Sequence, residues 1–115
     1  MTLKLSDNLS ISELQEQFTG MFAFLKIRLY KVGEGEERQQ LRESKTLKEA
    51  GLKKQGKLHI DGDITVGEFE KKLREEYGLI AQVSRRSGRI WLETTMTDNW
   101  TLNHQNEHGR ELSSH

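Results

Sequence analysis

The chain has 115 residues, with 18 basic and 18 acidic side chains and no cysteine. That length suits one domain over 1–115, balanced charge excludes a global basic field for nucleic acid or anionic membrane, and the missing thiols exclude disulfides, thiol nucleophiles and cysteine zinc sites. Leu, Ile, Val and Phe make up about 24% of the residues, above the rough 20% line for disorder, so a folded domain is expected.

In chain order, Leu3 to Leu5 is short enough for an edge strand. Ser10-x-x-Glu13 is a capping box, in which hydroxyl and carboxylate each accept an orphan amide at a helix start. Behind it Ile11, Leu14, Phe18 and Phe22 recur in steps of three and four, which predicts a helix over 10–22. Phe24 to Val32 alternates, with Leu25, Ile27 and Leu29 on one strand face, and the polar stretch from Glu36 to Arg42 is a weak strand. Thr46-x-x-Glu49 opens a turn or two of helix ending at Gly51. Leu58 to Ile60 is a second edge strand. Thr65-x-x-Glu68 is another capping box, and Val66, Phe69, Leu73 and Tyr77 predict a helix over 65–77, closed by Gly78 in a left-handed cap. Leu79 to Ser84 and Arg89 to Thr97 alternate, with Ser87-Gly88 as the turn of a hairpin. Thr101 to Glu107 predicts a short helix ending before Gly109.

The devices recur about 55 residues apart. Leu3 matches Leu58, Glu13 matches Glu68, Gly33 matches Gly88, and Thr46-Leu47 matches Thr101-Leu102. We therefore expect an α+β fold built from a tandem β-α-β-β-(short α) repeat, with halves 1–55 and 56–115. Burying two helical stripes against one mixed sheet would make a two-layer sandwich. The competing architecture is two repeat lobes with separate sheets.

Ile64 to Gly78, Arg85 to Thr94 and Thr97 to Leu102 together resemble a small, uncharacterised bacterial family of compact α+β proteins. The resemblance implies a soluble bacterial protein and carries no activity.

Two motifs invite a chemical reading. Gly51-Leu52-Lys53-Lys54-Gln55-Gly56-Lys57-Leu58 nearly spells a phosphate-binding loop, but Leu58 stands where a magnesium-holding hydroxyl is needed, and the flanking elements are in reverse order. His104-Gln105-Asn106-Glu107-His108 has the spacing of an inverted zinc peptidase motif, yet only seven residues follow His108, too few for the downstream third ligand. His59, Asp61 and Asp63 read as a polar turn leading to the Thr65 cap. No nucleophile elbow is present, and no cofactor, metal site or enzymatic activity is expected.

The second hairpin carries one distinctive feature. If Ile90 and Leu92 share the core face with Ala81 and Val83, Trp91 must leave by the other face with Gln82, Ser84, Arg86, Arg89 and Glu93. In a two-residue register Arg86 and Arg89 would be a like-charge cross-strand pair. Arg85, Arg86, Arg89 and Trp91 are therefore the candidate contact residues, since an exposed indole beside guanidinium groups suits stacking and anion binding. The competing reading covers Trp91 with Trp100 and Leu102 as a second small core. The functional expectation is a non-catalytic binding or assembly module with a protein partner. Nucleic-acid binding through the same hairpin is the alternative, and a small hydrolase is the third. No apolar run approaches the roughly 18 residues of a membrane span, and Met1-Thr2-Leu3-Lys4-Leu5 lacks a signal-peptide core, so a cytoplasmic protein without membrane contact is expected.

Overall fold

Ser10 caps the first helix as its spacing requires. Its hydroxyl accepts the Glu13 amide at 3.1 Å and Glu13 Oε1 accepts the Ser10 amide at 3.0 Å, and the helix, α1, runs Ile11–Met21. The structure, a computed structural model, describes residues 1–113. Thr65 caps the second long helix, α2 (Val66–Tyr77), by accepting the Glu68 amide at 3.1 Å. The Glu68 carboxylate here takes the Thr65 hydroxyl at 2.8 Å. Gly78 closes α2 at φ 74°, where a side chain is strained, and a Cβ there would also lie 2.8 Å from the Gly51 carbonyl oxygen.

The remaining elements are β1 (Thr2–Leu5), β2 (Leu25–Val32), β3 (Arg38–Gln40), β4 (Gly56–His59), β5 (Ile80–Ser87), β6 (Ile90–Glu93), a 3-10 turn over Thr95–Thr97, and α3 (Leu102–Ser113). They make an α+β fold with two antiparallel sheets. β1 pairs with β4, and the other four strands run in the order β3-β2-β5-β6. The expected mixed sheet is thereby corrected. The hairpin partners β3 and β6 occupy the outer edges beside β2 and β5, so β1 and β4 pair with each other.

One face of the four-stranded sheet presents Leu25, Ile27 and Leu29 of β2 beside Ala81 and Val83 of β5. These side chains share a single buried cluster with Ile11, Leu14 and Phe18 of α1, Val66, Phe69 and Leu73 of α2, and Leu3, Leu5 and Leu58 of the ribbon. Phe18 and Phe69 stack at 5.3 Å between centroids, joining the two helices at the centre. Aromatic pairs of this kind add about 0.5–1.5 kcal/mol beyond burial.

The chain returns to each helix start through the same contacts. Ile11 donates to the Lys45 carbonyl and Leu47 to that of Leu9, both at 2.8 Å. Val66 donates to Trp100 at 2.9 Å and Leu102 to Ile64 at 3.0 Å. Two short elements differ from expectation. Thr46 and Glu49 make their capping bonds, but the segment closes only turns before Gly51. The last helix, by contrast, continues through Gly109 to Ser113, because Gly109 is a packing position: a Cβ there would meet Phe24 Cβ at 2.9 Å and Arg85 Cγ at 3.0 Å. Among the described residues no helix is long and apolar enough to cross a membrane.

Candidate functional site

Strand alternation sorts the second hairpin. Ser87 faces Ile90, Arg86 faces Trp91, Arg85 faces Leu92 and Ser84 faces Glu93, so Gly88 and Arg89 form the turn, with Gly88 at φ 61°. The turn therefore lies one residue beyond the expected Ser87-Gly88. The anticipated Arg86–Arg89 cross-strand pair is replaced by Arg86 opposite Trp91, and Arg86 Nε donates to the Gly88 carbonyl at 2.9 Å. Arg85 points to the other face, where its guanidinium donates to Gln105 of α3 at 3.0 Å. Of the four candidate residues, Arg86 and Trp91 are neighbours on the outer face, Arg89 sits at the tip, and Arg85 belongs to the packing beneath α3.

Ile90 and Leu92 do share the face of Ala81 and Val83, but they are not core: they are 59% and 40% exposed. Sharing a side of the sheet does not guarantee cover at an edge strand. Met96, in the alternating run from Arg89 to Thr97, is 94% exposed beyond the end of β6. The competing cover for Trp91 is otherwise engaged. Trp100 meets His104 and His108 edge-on at 4.4 and 5.4 Å, and Leu102 enters the main core. The two histidines of the zinc-like motif thus pack on an indole, and among the described residues no group of three or more His, Cys, Asp or Glu side chains could hold a metal ion.

Trp91 is half-buried and belongs to a larger surface than the hairpin. Across β5, the alternation that turns Leu25, Ile27 and Leu29 inward turns Lys26, Arg28 and Tyr30 outward, opposite Ser84, Gln82 and Ile80. β3 adds Arg38 and Gln40, opposite Val32 and Tyr30. Lys26 Nζ lies 6.0 Å from the Trp91 ring centroid and 3.5 Å from Glu43. Arg28 approaches the Ser84 hydroxyl at 3.4 Å. Gln82 and Ser84 are buried as the floor, while Lys26, Arg28, Tyr30 and Trp91 are half-buried and Arg38 and Arg86 exposed. Burial, with Glu93 beside it, pushes the Tyr30 hydroxyl up, and Arg28 and Arg38 pull it back. Sequence reasoning missed Lys26, Arg28, Tyr30 and Arg38. The signal for the first three is the polar and aromatic half of the β2 alternation; Arg38 lies on the short polar β3 and carries none.

Comparison with family models, curated proteins and solved structures finds no match to this chain.

A second feature lies at the edge of β5. Thr94 donates to the Val83 carbonyl at 3.2 Å, after which the chain leaves β6, and the Val83 amide is taken by Glu70 Oε2 at 2.8 Å. Glu70 lines a cleft of about 350 Å³ with Arg38, Lys71, Arg74, Thr95 and Asp98. Burial pushes its carboxyl up to about 7; the Val83 amide opposes this, Asp98 adds to it, and Arg38 and Arg74 hold it back. A carboxyl near neutrality in a cleft has the acidity of a general base. A structural role accounts for it more economically, because Gln15, 55 residues earlier, makes the corresponding tie to β2 as a donor instead of an acceptor and without ionising. Its amide donates to the Ile27 carbonyl at 2.9 Å beyond the end of β3. α1 and α2 each send one side chain to complete the ladder where a short edge strand stops.

Proposed function

We propose that the protein is a non-catalytic binding module whose contact surface is the outer face of the four-stranded sheet, centred on the second hairpin. The observation that carries this reading is the position of Trp91: half-buried, outside the core cluster, with Arg86 directly opposite and Lys26 near its ring. An indole presented beside cations offers stacking area and charge-assisted hydrogen bonds together. A benzophenone photo-crosslinking residue at position 86 should capture a partner in native cells, whereas one at position 72, on the exposed side of α2, should not. Equal capture at both positions would remove the reading.

We further infer that the chain is a tandem repeat folded into a two-layer unit. In support, Leu3 faces Leu58, its partner in the 55-residue offset, and β2 pairs with β5. The contacts of Ile11 and Leu47 recur at Val66 and Leu102, and the bridge between Ser10 and Thr46 recurs between Thr65 and Thr101. The stripes of α1 and α2 meet the inner face of one sheet in a single core. Because β1/β4 and β2/β5 both join the halves, co-expressed fragments 1–55 and 56–115 should assemble into a heterodimer with the far-ultraviolet spectrum of the intact chain. Fragments that elute separately would argue against it.

A further inference from the structure

We propose that the outer face binds single-stranded nucleic acid, with bases stacked on Trp91 and Tyr30 and phosphates held by Lys26, Arg28, Arg38 and Arg86; this rests on that face being the contact surface. Its chemistry favours this occupant over a protein. By strand parity its only aliphatic members are Val32 and Ile80, and the exposed Ile90 and Leu92 lie on the opposite side of the hairpin. A protein interface needs an apolar centre, and this surface has two aromatic rings among four cations instead.

The charge is local. The chain as a whole is neutral, but Lys26, Arg28, Arg38 and Arg86 are spread along this face against Glu93 on the same face and Glu43 beside Lys26; at Arg38 the face meets the cleft of Glu70 and Asp98, whose charges Lys71 and Arg74 offset. The net excess is positive, complementary to a phosphate chain, and modest enough to predict salt-sensitive, moderate affinity. The rings are also placed for a track. Trp91 stands opposite Arg86 and Tyr30 opposite Ile80, so the strand rise and spacing separate them by about 22 Å on a diagonal. Arg28 and Lys26 lie between them. This is room for a short site, near the low end of the roughly 4–16 nucleotides seen for stacking platforms. Duplex bases cannot reach the rings, because stacking on a protein aromatic needs an unpaired, splayed base. Base faces and phosphates are common to RNA and DNA, so both should bind alike.

The test is fluorescence anisotropy of the intact protein with labelled rU12, dT12 and a mixed-sequence 12-base-pair DNA duplex. Both single strands should bind within about threefold of each other and more tightly than the duplex. If each of the four cations neutralises one phosphate, affinity should fall about 50-fold between 50 and 200 mM salt. Trp91→Leu, which keeps bulk but loses the ring, should weaken binding at least about fivefold, and Trp91→Phe should restore most of it. Thermal melts of both variants confirm that they are folded. No single-strand binding, preference for duplex, or equal affinity of Trp91→Leu and wild type would overturn the proposal. The position-86 crosslink separates the two failures. Site-selective capture of a nuclease-resistant, protease-sensitive partner would sink nucleic acid and leave the contact surface standing; capture no greater than at position 72 would sink both.

Discussion

Glu70 and Gln15 tie α2 and α1 to the main chain of a central strand with opposite polarity, the carboxylate as acceptor and the amide as donor. Both sit five residues after a helix cap, at Ser10 and Thr65, and both reach the main chain of a central strand past the end of its edge partner. The Glu70 carboxyl carries a cost that the Gln15 amide does not, since its burial opposes ionisation. Below the ordinary value of 4.5 folded and unfolded chains both hold the proton. Between there and about 7 only the folded chain does, so stability falls as pH rises across that window and stays lower above it. Glu70→Gln keeps an acceptor for the Val83 amide and removes the ionisation. Urea denaturation should therefore show the variant more stable than wild type at pH 8, with the difference shrinking toward pH 4. An unchanged pH profile would mean the carboxyl is not held in its burial environment.

Among the elements, the two long helices were legible because their causes are local. A cap, a carboxylate three residues on and an apolar stripe all lie within one segment, and Ser10 and Thr65 do cap α1 and α2. The last helix was legible only at its start. Gly109 reads as a stop signal in sequence, yet it is buried in mid-helix against Phe24 and Arg85. Two effects compete there. Alanine would gain up to about 1 kcal/mol of helix propensity, but its Cβ would lie 2.9 Å from Phe24 Cβ and 3.1 Å from the Phe24 carbonyl oxygen, where the backbone has little freedom to yield. Overpacking of this kind costs about 1–3 kcal/mol, so Gly109→Ala should lower the melting temperature despite the better propensity. A variant that melts at or above wild type would show that α3 can shift outward at no cost. At β6, parity correctly assigned the sides of Ile90, Leu92 and Trp91. It could not say that the helical layer leaves Ile90 and Leu92 exposed, because coverage depends on elements distant in the chain.

The whole molecule is tied at its amino terminus by the β1/β4 ribbon, whose partners are more than 50 residues apart in sequence. Ile60 donates to the Met1 carbonyl at 2.7 Å, and the Lys4 amide and carbonyl turn away from β4 to Gln17. Thr2 and His59 are therefore a non-hydrogen-bonded pair, the closer of the two antiparallel spacings, and both are exposed. Thr2→Cys/His59→Cys should form a disulfide readily and, by closing so long a loop, add up to about 4 kcal/mol. The check is the difference in denaturation midpoint with and without reductant. A pair that stays reduced under mild oxidation would contradict the register.

The short-range features were readable from the chain alone: the caps at Ser10 and Thr65, the stripes behind them, the Gly78 stop, and the face that Trp91 takes. Each follows from hydrogen bonds and periodicities spanning a few residues, where the backbone leaves few alternatives. The pairing of β1 with β4, the division into two antiparallel sheets, the length of α3, and the placing of Lys26, Arg28, Tyr30 and Arg38 on the same sheet face as Trp91 belong to the tertiary structure. Those depend on which distant segments compete successfully for the same edge or the same apolar face, and that competition is decided by packing across the whole core rather than by any one segment's composition.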